Sequence, residues 1–351
     1  MARLKDVARK AGVSIGTVSK ILNDPQAARL FTPDCIRRVR AAARRLAYSP
    51  NYLARSLQTG RANAIGMVLH CAAEAGVPFW FQMIDGVMAG VRHMGYHFVT
   101  IGAVPGSGGI EVGLRFLRER RIDALIVPRF AVGSGLPEAL DGVQAPVILA
   151  SVSEQTDLPV VDLDDAHGIA EAVGHLAGLG HRRLLWVFPS GAPHPSVGRR
   201  ARAFWEAVGS LGLEGRELGV ERVFDADPAS LTRQISLARE AVSECARAGA
   251  DFTALVCYDE SIAFGAYAAL GGLGMRIPRD VSVVGFDDIY ACVAWPPMTV
   301  VSHMLEAIGR RAAELAVRIV EAQGEPAVRP GHRECIPAQL VIRQSTGPAP
   351  R

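Results

Sequence analysis

Residues 11–23 read AGVSIGTVSKILN, and this stretch decides how the chain begins. A glycine inside an amphipathic helical pattern weakens it, so Gly12 marks a break between two helices rather than the interior of one. Upstream, Leu4, Val7, Ala8 and Ala11 recur at i, i+3, i+4 and i+7; downstream, Val18, Ile21 and Leu22 keep helical spacing. The turn between them needs a positive φ, which glycine adopts at no steric cost. Ala8 lets the two helices approach, Val13 and Val18 fill the space between them, and Ser14 is placed to cap the second. Ile15, Gly16, Thr17, Ser19 and Lys20 then face outward. The pattern predicts a helix-turn-helix whose second helix enters a DNA major groove, its first residues nearest the base edges.

An ordinary helical hairpin shares the glycine, the cap and the spacing; charge separates the two readings. Residues 1–61 hold thirteen Lys and Arg against three Asp, a net charge of +10, whereas the remaining residues hold 25 against 32, a net charge of −7. The chain's overall +3 hides a basic head on an acidic body, the footprint of a nucleic-acid-binding module joined to something else. A third helix follows the NDP at 23–25: Thr32 and Pro33 supply an N-cap and an N1 proline, and Ile36, Val39, Ala43 and Leu46 its apolar face. SPNYLARSLQTGR (49–61) predicts a further brief helix from near Pro50 to near Gly60.

With 351 residues, 49% of them hydrophobic, the chain is expected to fold as two or three units with sizeable cores. No run of eighteen apolar residues occurs, and the charged start at Arg3, Lys5 and Asp6 has no apolar segment behind it, so a cytoplasmic protein with no membrane partner is expected. Six cysteines without a CxxC pair read as reduced thiols.

From AIGMVL (64–69) the texture changes. Apolar runs at 64–69, 97–102, 123–128, 146–150, 159–162, 183–188, 220–224, 253–257 and 281–286 alternate with helical patterns at 80–94, 109–120, 166–179, 199–212, 229–248 and 260–273. A helix at 302–323 and an apolar segment at 334–342 follow. This alternation predicts an α/β body of two doubly wound parallel-sheet lobes behind the small all-α head.

The stretches LKDVARKAGVSIGTVSKILN and SPNYLARSLQTGRANAIGMV resemble the DNA-binding head and hinge of the LacI/GalR family of bacterial transcription regulators. The resemblance continues through LGHRRLLWV (179–187), YDESIAFGAYAALGGLGMRIPRDVSVVGFDD (258–288), WPPMTVV (295–301) and LVIRQST (340–346). It implies a DNA-binding domain over 1–48, a hinge helix and linker over 49–61, and over 62–351 an effector-binding and dimerisation domain like a periplasmic binding protein. The proximal lobe would take about 62–161 and 291–325 and the distal lobe about 162–290 and 326–345, with crossings near 162, 290 and 325.

Further implications are a homodimer on double-stranded, roughly palindromic operator DNA, repression as output, and a small-molecule effector, a sugar or related metabolite. Leu57 would wedge into the central minor groove and kink the duplex, and Asn23, Tyr48, Asn51 and Arg55 join the DNA-facing set with Ser14. Where the family has polar readers this chain has Ile15 and Gly16, so hydrogen-bonded readout falls on Lys20.

Ligands of open parallel sheets bind beyond the strands' carboxyl ends. The candidates there are His70, Cys71, Phe79, Trp80, Pro128, Arg129 and Ser151 in one lobe, and Ser190, Ser196, Arg200, Phe224, Asp259, Phe286, Asp287 and Asp288 in the other. The resemblance singles out Arg200 and Asp259 as effector contacts, able to face each other and take hydroxyl groups, with Phe79 or Trp80 stacking on an apolar face. Ser151 stands where sugar-binding members often have aspartate.

Asp164-Asp165 and Asp287-Asp288 are adjacent pairs without the separations of glycoside hydrolysis. No nucleophile elbow, zinc-binding helix or P-loop motif occurs, the histidines lack ligand spacing, and His181 reads as a turn residue. No catalytic residue, metal or cofactor is expected. The competing readings are a small-molecule binding protein or a carbohydrate-acting enzyme without operator function; the basic head argues against the first and the missing catalytic motifs against the second.

Overall fold

The computed structural model describes residues 2–23, 30–48, 56, 60–69, 78–102, 109–128, 138–140, 143, 145–151, 156–191, 195–222, 229–322 and 327–350. The chain divides into two compact units, Met1–Ala62 and Asn63–Arg351.

In the first unit, α1 (Leu4–Ala11), α2 (Ile15–Asn23) and α3 (Pro33–Arg45) enclose a core of Val7, Ala8, Ala11, Val18, Ile21, Val39, Ala42 and Ala43. Each boundary has a local cause. Asp6 reaches back to the Arg3 backbone N–H at 3.0 Å, and Gly12 ends α1 in the left-handed conformation, φ 67° and ψ 41°. Ser14 Oγ accepts from the Thr17 backbone N–H at 3.0 Å and opens α2; Thr32 Oγ1 accepts from the Cys35 N–H at 3.3 Å and opens α3. The hinge helix expected over 49–61 lies almost wholly outside the described residues.

The second unit contains two six-stranded sheets. The first comprises β1 (Ala64–Leu69), β2 (His97–Gly102), β3 (Ala124–Pro128), β4 (Val147–Ala150), β5 (Val160–Asp164) and β11 (Arg333–Pro337), in the order β11-β5-β4-β3-β1-β2, all parallel. The second comprises β6 (Arg183–Ser190), β7 (Glu214–Glu221), β8 (Ala254–Cys257), β9 (Ser282–Asp287), β10 (Thr299–Ser302) and β12 (Gln339–Val341), in the order β12-β10-β9-β8-β6-β7. Only β12 runs antiparallel, against β10. In each sheet the first strand of the lobe lies between the second and third, so strand order reverses beside β1 and β6 and opens a crevice at the carboxyl ends there.

Helices α4 (Pro78–His93), α5 (Gly109–Arg118) and α10 (Leu305–Glu321) pack with the first sheet; α6 (Asp165–Gly178), α7 (Pro195–Ser210), α8 (Ala229–Arg247) and α9 (Glu260–Gly272) pack with the second. The α4–α10 crossing depends on glycine. A Cβ on Gly86 would lie 2.0 Å from Glu306 O, and one on Gly309 would lie 2.3 Å from Met83 O. The two backbones touch where any side chain would separate them.

Three expectations need correction. The strand expected at 220–224 begins at Glu214: it is an edge strand with a mostly exposed, charged sequence, EGRELGVE, and therefore has no apolar run to reveal it. The second crossing lies between Ser302 and Leu305 rather than near 290, because the short strand β10 still belongs to the second sheet. The third lies between Pro337 and Gln339 rather than near 325, because β11 pairs with β5 in the first. The chain from 327 to 337 is thus proximal and from 291 to 302 distal.

His181, read as a turn residue, is fully buried. Its Nδ1 lies 2.9 Å from Thr253 Oγ1 and its Nε2 2.9 Å from Ser282 Oγ and 3.0 Å from Gly347 O, which pins the C-terminal segment to the second sheet. Burial lowers its pKa below the ordinary histidine value, as suits a neutral hydrogen-bonding ring.

Candidate DNA-binding helix and inter-lobe site

The second helix of the head presents Ser14, Ile15, Gly16 and Lys20 to solvent, with Thr17 and Ser19 half-buried. Ile15 is 52% exposed, far more than an isoleucine serving the core. A Cβ on Gly16 would meet only Ser14 Oγ at 3.7 Å, so packing does not demand glycine there. The result is a helix N-terminus with a short, smooth face and one flexible cation a turn later. Tyr48 is half-buried against the head core, and burial raises its phenol pKa. Asn51, Arg55 and Leu57 lie outside the described residues, as does the Asn23 side chain.

In the second unit Ser151, Asp259, Asp287 and Asp288 lie at or just past strand ends, whereas Ser196 and Arg200 stand on α7, and their partners differ from the simple picture of an arginine facing an aspartate. Arg200, on α7, is 3% exposed; its Nε donates to Asp165 Oδ1 at 3.1 Å and its Nη1 to the Tyr258 carbonyl at 2.7 Å. Its guanidinium lies 3.4 Å from the Phe286 ring centre and 4.6 Å from that of Tyr258, a cation held between two aromatic walls. Asp259 is held separately: Arg222 Nη1 donates to its Oδ2 at 2.6 Å, while its Oδ1 accepts from Ser261 Oγ at 2.6 Å and caps α9 through the Ile262 N–H at 2.9 Å. Burial alone would raise the Asp259 pKa, but the Arg222 charge and these hydrogen bonds outweigh it and hold the carboxyl below its usual range. Arg200 and Asp259 therefore sit in the same lobe, each in its own ion pair.

A second constellation joins the lobes. Ser151, just past β4, places Oγ 3.3 Å from His303 Nε2; His303, just past β10, places Nδ1 3.1 Å from Asp287 Oδ1 at the end of β9. Ser151, Asp287 and Asp288 have φ of 58°, 103° and 65°, the left-handed region that non-glycine residues avoid at a cost of about 1–3 kcal/mol. Strain therefore collects where both sheets present their carboxyl ends. Gln82 adds a bridge by donating to the Asp288 carbonyl at 3.3 Å, and Asp288 itself is paired with Arg343 at 2.7 Å.

Ser196 Oγ lies 2.7 Å from the Tyr258 hydroxyl, and Trp80 is buried at the start of α4. Pro128 is buried at the end of β3, whereas Ser190 is exposed at the end of β6. His70, Cys71, Arg129 and Phe224, and the Phe79 side chain, lie outside the described residues.

The sequence did not assign Tyr258, Arg222, Asp165, Arg199 or His303 to the site. Placing the end of β7 at Glu221 puts Arg222 immediately beyond a strand, the signal that a correct register supplies. The adjacent acids separate as their backbone directs: Asp164 caps α6 through the His167 N–H at 3.1 Å, and Asp165 turns to the arginines of α7. Among the described residues no group of three or more His, Cys, Asp or Glu is placed to hold a metal ion, and no helix is long and apolar enough to cross a membrane.

Comparison with known proteins matches these two units to two family models: bacterial regulatory proteins of the lacI family over residues 3–51, and a periplasmic binding protein-like domain over residues 173–346. The transcriptional regulator GalR of Salmonella typhimurium is 28% identical over 326 residues, covering 91% of this chain and 90% of its own. The transcriptional repressor PurR of Haemophilus influenzae is 28% identical over 349 residues, covering 98% of each. Among solved structures, the lac repressor dimer bound to operator and an anti-inducer aligns with a TM-score of 0.70 at 23% identity over 99% of both chains. A CelR–cellobiose complex aligns with a TM-score of 0.64 at 24% identity over 98% of this chain and 100% of its own, and like the lac repressor it shows the fold. The chain belongs to the lacI family of bacterial regulatory proteins: it is a DNA-binding transcriptional regulator, not an enzyme, with a periplasmic-binding-protein-like effector domain behind a helix-turn-helix head.

Proposed function

We propose that the protein is a cytoplasmic repressor that binds a two-fold symmetric operator as a homodimer and leaves or engages it in response to a sugar or sugar derivative held between the lobes. The observation that carries the effector reading is the convergence of polar side chains at the carboxyl ends of both sheets: Ser151, His303, Asp287, Arg200, Ser196 and Tyr258. Hydroxyls and carboxylates that accept and guanidiniums that donate suit a polyhydroxylated ligand. Solved relatives in complex with cellobiose and with ribose support that class.

On the DNA side, the exposed face of α2 supplies one hydrogen-bonding reader, Lys20, which suits guanine O6 or N7, and one apolar contact, Ile15, which suits a thymine methyl. Leu57, by family resemblance, supplies the minor-groove wedge, so that bending adds specificity where side chains do not reach. Effector and operator are linked through the relative affinity of the ligand for the two lobe arrangements, which also fixes whether it induces or corepresses.

A thermal-shift screen of the full-length protein against sugars, sugar acids, polyols and nucleobases tests the effector reading. A sugar or sugar derivative should raise the melting temperature and change operator affinity. Stabilisation by nucleobases alone, or by nothing in the screen, would contradict it.

A further inference from the structure

Two neighbouring arginines on α7 share one carboxylate. Arg200 Nε donates to Asp165 Oδ1 at 3.1 Å, and Arg199 Nε donates to Asp165 Oδ2 at 3.0 Å, with Nη2 closing on the same oxygen. Arg199 also reaches the other lobe: its Nη1 donates to Asp162 Oδ2 at 3.2 Å, and that oxygen accepts from Arg333 Nη1 at 2.9 Å. Arg199 and Asp165 stand on helices of the second lobe, whereas Asp162 on β5 and Arg333 on β11 are paired into the first sheet. The series Arg200, Asp165, Arg199, Asp162, Arg333 therefore crosses between the lobes through carboxylates whose side chains are 2% and 5% exposed.

Three cations share two anions, and each anion bridges two guanidiniums. The carboxylates are buried while Arg199 and Arg333 are partly exposed, at 33% and 29%, so the interactions are screened less than those of surface pairs and a change at one end is felt along the series. An acceptor group brought to Arg200 competes with Asp165 Oδ1. Asp165 then rests more fully on Arg199, and Arg199 relinquishes Asp162, which Arg333 retains. The bond given up is the one between lobes.

We propose that Arg199 couples occupancy at Arg200 to the contact between the lobes, with the Arg199–Asp162 bond opening when an effector's acceptor group binds Arg200. This rests on the assignment of Arg200 to the effector site. It adds a residue whose role is to position one lobe against the other, and it places the affected contact on β5, in the lobe into which the head's linker runs.

The test uses the full-length protein without ligand. Arg199→Lys keeps the charge but cannot bridge two carboxylates, so it is the variant least prone to misfolding; Asp162→Asn removes the other side of the bond. Arg310→Met, which breaks an exposed pair with Glu306, is the control. Two readouts are taken: amide hydrogen exchange over 160–164 and 333–337, and the dissociation constant for DNA selected by the wild type. Arg199→Lys and Asp162→Asn should each speed exchange in those strands at least fivefold. Each should also shift the operator dissociation constant at least fivefold in one common direction, and the double variant should match the singles within twofold. Arg310→Met should do neither.

Exchange and affinity within twofold of wild type in both single variants, or additive effects in the double, would overturn the coupling role. Failure of the wild type to select any DNA would instead sink the operator reading, and the exchange data would still decide on Arg199.

Discussion

Asp287 Oδ1 stands 3.1 Å from His303 Nδ1, tying the end of β9 to the segment where the chain leaves the second lobe. Because the opposite ring nitrogen reaches Ser151 at the end of β4, one imidazole links both lobes at the centre of the candidate site. Replacing it leaves a half-buried carboxylate short of a partner. His303→Ala should lower the unfolding free energy by about 1–3 kcal/mol, measured by urea denaturation, and should shift any ligand-induced rise in melting temperature. An unchanged midpoint would show that the bridge is not made in solution.

The two glycines of the recognition element should behave oppositely. Gly12 occupies the left-handed region at φ 67°, so Gly12→Ala should destabilise the head by about 1–2 kcal/mol. Gly16 lies in a helix where a Cβ would make only an ordinary contact with Ser14 Oγ at 3.7 Å, so Gly16→Ala should stabilise the head by about 0.5–1 kcal/mol. Thermal unfolding followed at head signals in the full-length protein distinguishes the two. Equal effects would mean that the turn at Gly12 is not the one described.

At the α4–α10 crossing, Gly86→Ala and Gly309→Ala would force a methyl group into a facing backbone carbonyl. Each should cost about 1–3 kcal/mol or more through overpacking, read as a lower urea midpoint, whereas alanine at Gly174, with nothing within 4 Å of its Cβ, should not.

Acid should weaken the second unit. Burial would raise the carboxyl of Asp165, but Arg200 and Arg199 outweigh it and hold the pKa low. Burial likewise opposes, and hydrogen bonds from Arg311 and His332 and the charge of Arg311 overcome, the tendency of Glu334 to rise, leaving it at about 2. Groups depressed in the folded state contribute stability above their unfolded values, near 4, and lose it as pH falls toward the folded ones. Urea midpoints should therefore fall steeply from pH 5 to pH 3. Glu260 works in the opposite sense. Burial raises it to about 7 despite three backbone N–H donors at 289–291, so its contribution declines as pH rises from about 4.5 through 7. Glu260→Gln should flatten the stability profile between pH 5 and 8; an unchanged slope would remove Glu260 as its cause.

The head was the most legible part of the chain because everything that shapes it is local: the caps at Ser14 and Thr32, the turn at Gly12 and the helical spacing of Val7, Val18 and Val39 lie within a few residues of what they control. The apolar strands β1, β3 and β8 announced themselves as buried runs. The edge strand β7 did not, since its sequence satisfies solvent rather than a core. The crossings were misplaced because β10 and β11 are short and their sheet membership is decided by strand pairing, β10 with β9 and the distant β12, β11 with the distant β5. The site follows the same division. Strand ends located Ser151, Asp259 and Asp287, and the family resemblance Arg200, but ion-pair choice depends on how separate segments dock. Arg200 takes Asp165 and Asp259 takes Arg222 across 35 and 37 residues of chain.

Lys20 carries the hydrogen-bonding part of direct readout on this account. Lys20→Ala should weaken operator binding by about 1–3 kcal/mol more than binding to random DNA, measured by fluorescence anisotropy at fixed salt. Equal losses on both DNAs would make Lys20 a phosphate contact.

The central claim, that this chain recognises a particular DNA sequence through its basic head, is tested most directly by selection from a random duplex library with the full-length protein. The affinity ratio of the selected to a scrambled duplex is then measured at one salt concentration. The expected result is a two-fold related sequence bound at least about 10³-fold more tightly than the scrambled duplex. Enrichment of no sequence, with binding that depends on salt but not on base order, would contradict it.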